Sequence, residues 1–252
     1  MMDTQQIDRA ADLLVGARRS GTPLDGLPAD VTPATVADGH AIQDAVTARL
    51  GKSVGAFKAT APANGEPTRG VIYADTIHAS PARIPASEVP HCGVEGEVAF
   101  VFRRDLPARE PAYTRNEVAA AVEACAAIEL VSSRYRDFAN ASALVRLADS
   151  VANAALVHAA PMAEWRSLDL GKLAVTLTVN GETVLQQSGG HPTGDPLNVA
   201  VALANMMREH GGLRAGQFVT CGSYTGLRYL KPGDVCGVRF EGLGAAEATF
   251  TR

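Results

Sequence analysis

The sequence has few cysteines and places them far apart. Cys92, Cys125, Cys221 and Cys236 form no C-x-x-C pair, and no histidine stands at zinc-finger distance from them. A disulfide scaffold and a structural zinc site are thereby excluded, and four buried, reduced thiols are expected. Basic residues are in slight deficit, with 23 Lys and Arg against 27 Asp and Glu, a formal charge of −4 and a pI near 5.9. Nucleic-acid binders show the opposite balance, clustered on one face, so no nucleic-acid partner is expected. Long apolar runs are missing too. The longest, around 118–131 and 199–207, fall short of the roughly 20 residues a membrane span needs, and Glu123 and Glu129 interrupt the first. The initial stretch MMDTQQIDRAADLLVGARR carries acids and an amphipathic pattern where a secretory signal needs a basic start and an unbroken apolar run. The expected location is therefore cytoplasmic, with no membrane partner. No G-x-x-x-x-G-K-[ST] is present, no G-x-G-x-x-G stands between a strand and a helix, and Ser223 is off-centre for a G-x-S-x-G elbow in Gly222-Ser223-Tyr224-Thr225-Gly226. Phosphate-loop and serine-hydrolase chemistry have no support.

What is present describes a soluble globular chain of 252 residues, 46% hydrophobic and 20% charged. A chain of this size buries roughly 70% or more of its unfolded surface, so any metal it holds serves chemistry and is not needed as a staple. Ile7, Ala10, Ala11, Leu14 and Val15 recur at helical spacing before Gly21. Thr32 as N-cap, Pro33, then Ile42, Val46 and Leu50 ahead of Gly51 predict a second helix. After Lys58 the chain turns to short runs broken by Pro and Gly. We place a seam there, with an N-terminal helical part over 1–75 and a strand-rich body over 76–252. Gly93–Phe102 reads as a strand, and Thr114 with Glu117 forms a capping box ahead of a helix through Val118, Val122, Cys125 and Ala126. Asn180-Gly181 between alternating runs predicts a hairpin. Asp195-Pro196 opens a further helix, followed by strands at 218–221 and 235–240 joined through Lys231-Pro232-Gly233-Asp234. Helices first and mostly antiparallel strands afterwards, without βαβ alternation, indicate an α+β fold with a mixed, mostly antiparallel sheet body.

Chemistry concentrates in a few places. On a strand through Gly93–Phe102, Glu95 and Glu97 share a face. Two carboxylates in a poorly hydrated place share a proton or are bridged by a cation; at a frayed strand end they are simply solvated. Glu129 stands in the apolar run Ala126–Val131, where a charge without a partner is costly. Arg134 is one available partner, and a divalent ion shared with Glu95 and Glu97 is the other. Three carboxylates with open water positions suit Mg2+ or Mn2+ and could chelate a 2-oxo acid. Lys58 is a lone cation among small and apolar residues, either a snorkelling lysine or one whose pKa falls toward neutrality by desolvation. The six histidines show no metal-ligand spacing.

The chain resembles the fumarylacetoacetate hydrolase superfamily, in the branch of 2-keto-4-pentenoate hydratases and 2-oxo-3-enedioate decarboxylases. The resemblance runs through Gly55-Ala56-Phe57-Lys58, Gly93-Val94-Glu95-Gly96-Glu97-Val98-Ala99-Phe100, Ala127-Ile128-Glu129-Leu130-Val131, Gly190-His191-Pro192, Gly222-Ser223-Tyr224-Thr225-Gly226 and Lys231-Pro232-Gly233-Asp234. It implies that Glu95, Glu97 and Glu129 hold Mg2+ or Mn2+, that Lys58 transfers protons, and that Ser223, Thr225 and Asp149 contact a small 2-oxo-acid substrate. It implies a lyase of aromatic-compound catabolism, assembled as a homodimer or higher homo-oligomer. The leading activity is hydration of a 2-hydroxy-2,4-dienoate to a 4-hydroxy-2-oxo acid. The alternatives are decarboxylation of a 2-oxo-3-enedioate, carbon–carbon hydrolysis of an acylpyruvate, and a metal-free binding protein that keeps the fold. Three departures stand out. Pro67-Thr68-Arg69-Gly70 replaces the branch's P-D-[FY]-G, removing a carboxylate, Val131-Ser132-Ser133-Arg134 replaces V-D-S-R, and Asp149-Ser150-Val151-Ala152 replaces D-N-A-S, leaving Ala152 where a serine is expected near the substrate.

Overall fold

The structure is a computed structural model that describes all 252 residues. Two helices open the chain, α1 (Thr4–Ser20) and α2 (Val36–Leu50). Ala10, Ala11, Leu14 and Val15 are buried on the inner face of α1, which ends where Gly21 takes φ 68°. The cap of α2 is Thr35, not Thr32. Thr35 Oγ1 accepts the Asp38 N–H at 3.1 Å and Asp38 Oδ2 accepts the Thr35 N–H at 3.0 Å, a reciprocal pair that Thr32 cannot form. The Thr32 hydroxyl donates instead to the carbonyls of Leu27 and Pro28.

The body begins with β1 (Val54–Thr60), β2 (Thr68–Tyr73), β3 (Ile77–Ala79), β4 (Ala82–Pro85) and β5 (Gly93–Phe102). It continues through α3 (Arg115–Ala121), β6 (Val122–Val131), α4 (Ala143–Ala148) and β7 (Asn153–His158). The hairpin β8 (Ala174–Val179) and β9 (Glu182–Ser188) precedes α5 (Leu197–Met207). The last strands are β10 (Phe218–Ser223), β11 (Arg228–Tyr229), β12 (Val235–Phe240) and β13 (Gly244–Thr251). One sheet runs β2-β1-β10-β5-β6-β7-β3 with β11 beside β5, and a second runs β4-β13-β12-β8-β9. Only the pairs β1–β10, β3–β7 and β4–β13 are parallel, so the mixed, mostly antiparallel α+β body stands as expected. Val98, Phe100, Ile128, Val238 and Phe250 belong to the main core, while Leu14, Ile42, Val46 and Tyr135 form a smaller core under the helices.

The predicted helix through Val122, Cys125 and Ala126 stops at Ala121. From Val122 the chain is β6, paired along its length with β5 and at its far end with β7. A short run that is apolar on both sides fits a central strand as well as a buried helix, and here pairing on both edges decides for the strand. The expected seam at 75 falls after β1 and β2, both of which are strands of the main sheet. No helix is long and apolar enough to cross a membrane.

Candidate metal centre

Pairing register brings the acidic residues together. Glu95 on β5 lies directly opposite Glu129 on β6, and Glu97 lies opposite Ser223 on β10. Paired residues project to one face, and so do residues two apart on a strand, so Glu95, Glu97 and Glu129 converge. Their carboxylate oxygens lie within 4.8 Å of one another. On the next strand but one, Lys58 pairs with Thr220, which pairs with Ala99, two residues along from Glu97. Lys58 thus emerges on the same face. Its Nζ is 3.0 Å from Glu129 Oε2 and 3.4 Å from Glu95 Oε2.

The second contacts of each carboxylate fix its direction. Glu97 accepts the Gly222 N–H at 2.8 Å, and Glu129 Oε1 accepts from Asn153 Nδ2 at 2.9 Å. Glu129 Oε2 is buried and faces the Lys58 ammonium at 3.0 Å. Glu97 and Glu129 are almost wholly buried, and Glu95 is partly open. Three carboxylates against one ammonium leave two negative charges without balance in a dry place. Burial pushes the Glu97 carboxyl well above the usual range, and Glu129 and Glu95 push it further. Burial raises Glu129 as well, with Lys58 opposing. Burial alone would lower the Lys58 pKa, as its sequence context suggests, but the attraction of Glu129, Glu95 and Glu97 outweighs it and holds the ammonium above its ordinary range. An all-oxygen donor set and a deficit of two positive charges fit a hard divalent cation.

The other expected residues divide. The Thr225 hydroxyl accepts the Gly96 N–H at 2.8 Å and donates to the Gly226 carbonyl at 3.1 Å, which pins β5 between Glu95 and Glu97. A Cβ on Gly96 would approach Val238 Cγ2 to 2.7 Å, so this close approach needs glycine. Ser223, half-buried, stands beside Glu97 in register, and its Oγ accepts the Thr225 N–H. Asp149 lies elsewhere. It is buried against Arg134, whose backbone N–H it accepts at 2.9 Å and whose Nε it pairs with, and Arg18 stands 3.5 Å away. Arg134 therefore partners Asp149 and not Glu129. The Thr68 hydroxyl is paired with that of Thr60 at 2.8 Å on the exposed end of β2.

Sequence reasoning missed Asn153 and the Gly222 N–H. Asn153 follows Ser150, Val151 and Ala152, three consecutive non-glycine residues with φ of 53°, 51° and 61°. Each such residue costs of order 1–3 kcal/mol unless its surroundings hold it. Here the Ala152 carbonyl accepts the Ser132 N–H at 2.8 Å, and Gly70 leaves room against Ser150. The left-handed turn delivers Asn153 to Glu129, and nothing in the letters Ser-Val-Ala announces it.

Comparisons with known proteins bear on the fold and the family. The 2-keto-4-pentenoate hydratase of Paraburkholderia xenovorans (strain LB400) is 31% identical over 262 residues, covering 99% of this chain and 96% of that protein. A 4-oxalocrotonate decarboxylase of Pseudomonas putida is 31% identical over 169 residues, 66% of this chain and 63% of that protein. Among solved structures, 4-oxalocrotonate decarboxylase from Pseudomonas putida G7, complexed with magnesium and adipate, shares the fold with a TM-score of 0.86 at 24% identity over 99% of both chains. The family pattern "Fumarylacetoacetate (FAA) hydrolase C-terminal" matches residues 34–251. That span takes in every strand carrying a glutamate of the cluster or Lys58, and the chain belongs to the fumarylacetoacetate hydrolase family.

Proposed function

We propose that this chain is a divalent-metal-dependent hydro-lyase that adds water to a 2-hydroxy-2,4-dienoate and yields a 4-hydroxy-2-oxo acid, in the breakdown of aromatic compounds. The observation that carries the reading is the convergence of Glu95, Glu97 and Glu129 within 4.8 Å beside Lys58, in a chain similar over its whole length to hydratases. The three glutamates would hold Mg2+ or Mn2+. When bound, such an ion supplies a Lewis acid for the carboxylate and 2-oxo oxygens of the substrate and favours the negative charge that develops there.

The chain's own residues do the rest. Lys58 holds a proton at Nζ between Glu129 and Glu95 and moves it between oxygen and carbon. The 2-hydroxyl loses its proton and the terminal carbon gains one, leaving a 2-oxo-3-enoate. Water then bonds through oxygen to C4 while a proton goes to C3. Because Thr68 is tied to Thr60 and carries no charge, no carboxylate on β2 shares this task. Asn153 and the Gly222 N–H orient Glu129 and Glu97, and Thr225 fixes the strand between them.

Decarboxylation of a 2-oxo-3-enedioate is the second reading, favoured by similarity to 4-oxalocrotonate decarboxylase. Incubation with Mg2+ and one substrate of each class, following loss of the conjugated chromophore and product mass, separates the two. A product heavier by one water supports the hydratase. Release of carbon dioxide without water addition overturns it in favour of the decarboxylase.

A further inference from the structure

A cavity of about 740 Å3 lies between the helical part and the main sheet, and Asn153, which donates to Glu129, is on its wall. Neither Lys58 nor any of the three glutamates lines it. Arg18, Arg19, Lys52 and Arg134 stand on its wall with Glu88; Lys52 is paired with Asp75 at 2.7 Å and Arg134 with Asp149, which leaves Arg18 and Arg19 as the cations in excess. Val71, Val89 and the Tyr73 ring provide apolar surface, with Arg18 5.7 Å and Lys52 5.4 Å from the ring centre.

Arg18 is the informative group. Behind the wall, fully buried Asp149 faces two guanidinium groups, and Arg134 has claimed it. Arg134 Nε pairs with Oδ1, while the Arg134 N–H and the Ser133 hydroxyl donate to Oδ2. Arg18 reaches Oδ1 only at 3.5 Å without a hydrogen bond, and its Nε is buried with no partner. One carboxylate between two guanidiniums leaves a partly buried positive charge in excess. Burial, with Arg134 adding to it, lowers the Arg18 pKa to about 10. A partly buried cation whose Nε has no partner is costly unless something pairs with it. If Arg18 merely tied α1 to Asp149, it would be expected to make the hydrogen bonds that Arg134 makes. Its planar fork is instead free for the two oxygens of a carboxylate or phosphate.

We propose that this cavity binds a small organic oxyanion, its carboxylate or phosphate seated on Arg18 and its apolar body against Tyr73, Val71 and Val89. None of the residues offered to the anion belongs to the carboxylate cluster.

Calorimetric titration of the full chain with succinate, benzoate and inorganic phosphate tests it, at ionic strength fixed with chloride, once with Mg2+ and once with chelator. Saturable binding of at least one probe in both conditions is expected, weakened about tenfold or more in Arg18→Gln, a change of about 1.4 kcal/mol. Mg2+ titration of the variant should match the wild type. The carboxylate and phosphate arms identify which head group the cavity takes. Arg18→Lys keeps the charge without the fork and decides the matter if the Gln variant does not fold; it too should bind the anion more weakly. Absence of binding by all three probes, binding that appears only with Mg2+, or binding unchanged in the folded Arg18 variants would overturn the proposal.

Discussion

Glu97→Gln should make the metal-free protein more stable while abolishing its response to Mg2+. Glu97 is buried, and Glu95 and Glu129 lie within 4.8 Å of it. At that distance and an effective dielectric constant of about 20, each like-charge pair costs about 3.5 kcal/mol. Attraction to Lys58 offsets one such term, leaving roughly 3.5 kcal/mol of net repulsion on an ionised Glu97. The amide keeps an oxygen for the Gly222 N–H, so little hydrogen bonding is lost. The raised Glu97 pKa sets the sign with pH. The unfolded carboxyl ionises near 4.5 and the folded one resists, so metal-free wild type loses stability as pH rises through that interval, and the variant loses less. Urea unfolding in chelator should therefore show the variant about 1–3 kcal/mol more stable at pH 8, with the gap closing toward pH 5. Mg2+ at about a hundred times its Kd should add about 2.7 kcal/mol to the wild type. It should add almost nothing to the variant. A variant less stable than wild type in chelator at pH 8, or equally stabilised by Mg2+, refutes the electrostatic account of the cluster.

Lys58→Met should lower turnover by about 10²–10⁴-fold on the substrate that the product assay identifies, and calorimetry should show Mg2+ binding no weaker, since a competing cation has left the site. Gly96→Ala forces a Cβ toward Val238 Cγ2 and Thr225 Cγ2, at 2.7 and 2.9 Å; it should cost about 1–3 kcal/mol in urea unfolding and weaken Mg2+ binding by moving Glu95 and Glu97. His40 accepts the Arg69 N–H at 3.1 Å, and burial, helped by Arg69, lowers its pKa to about 4. The folded state thus resists protonation that the unfolded chain accepts near 6.5. Stability is fully present above that value and should fall by about 2 kcal/mol as pH drops toward 4, after allowance for partial exposure; His40→Gln should flatten that slope in unfolding curves.

Features set by a few neighbouring residues were legible in the sequence. The Gly93–Phe102 run reads as a strand and is β5, and Asn180-Gly181, with φ of 52° and 85°, makes the two-residue hairpin turn between β8 and β9. The capping box of Thr114 and Glu117 marked where α3 begins, yet its far end was misplaced because Val122–Val131 is apolar on both faces. Only the pairing of β6 with β5 and β7 makes that stretch a strand, and pairing is a long-range property. Thr32 and Thr35 differ for a local reason that spacing alone underweights, namely that Asp38 stands three residues after Thr35.

The candidate site divides along the same line. That Glu95 and Glu97 share a face follows from the two-residue period, and that Glu129 needs a counter-charge follows from its apolar run. Which counter-charge it meets does not follow. Arg134 is five residues away in sequence but is taken by Asp149, because the left-handed turn at Ser150–Ala152 carries the chain back and sets Asp149 against Arg134 and Asn153 against Glu129. Lys58 arrives from two strands away through the parallel pairing of β1 with β10, a register no local pattern encodes. The charge requirement of the cluster was thus written into single strands, whereas the identity of its partners depends on strand order and on one strained turn. The same turn sets Asp149 where Arg134 satisfies it and leaves Arg18 without a hydrogen bond, so one backbone feature orients a carboxylate of the metal centre and supplies the idle cation of the cavity beside it.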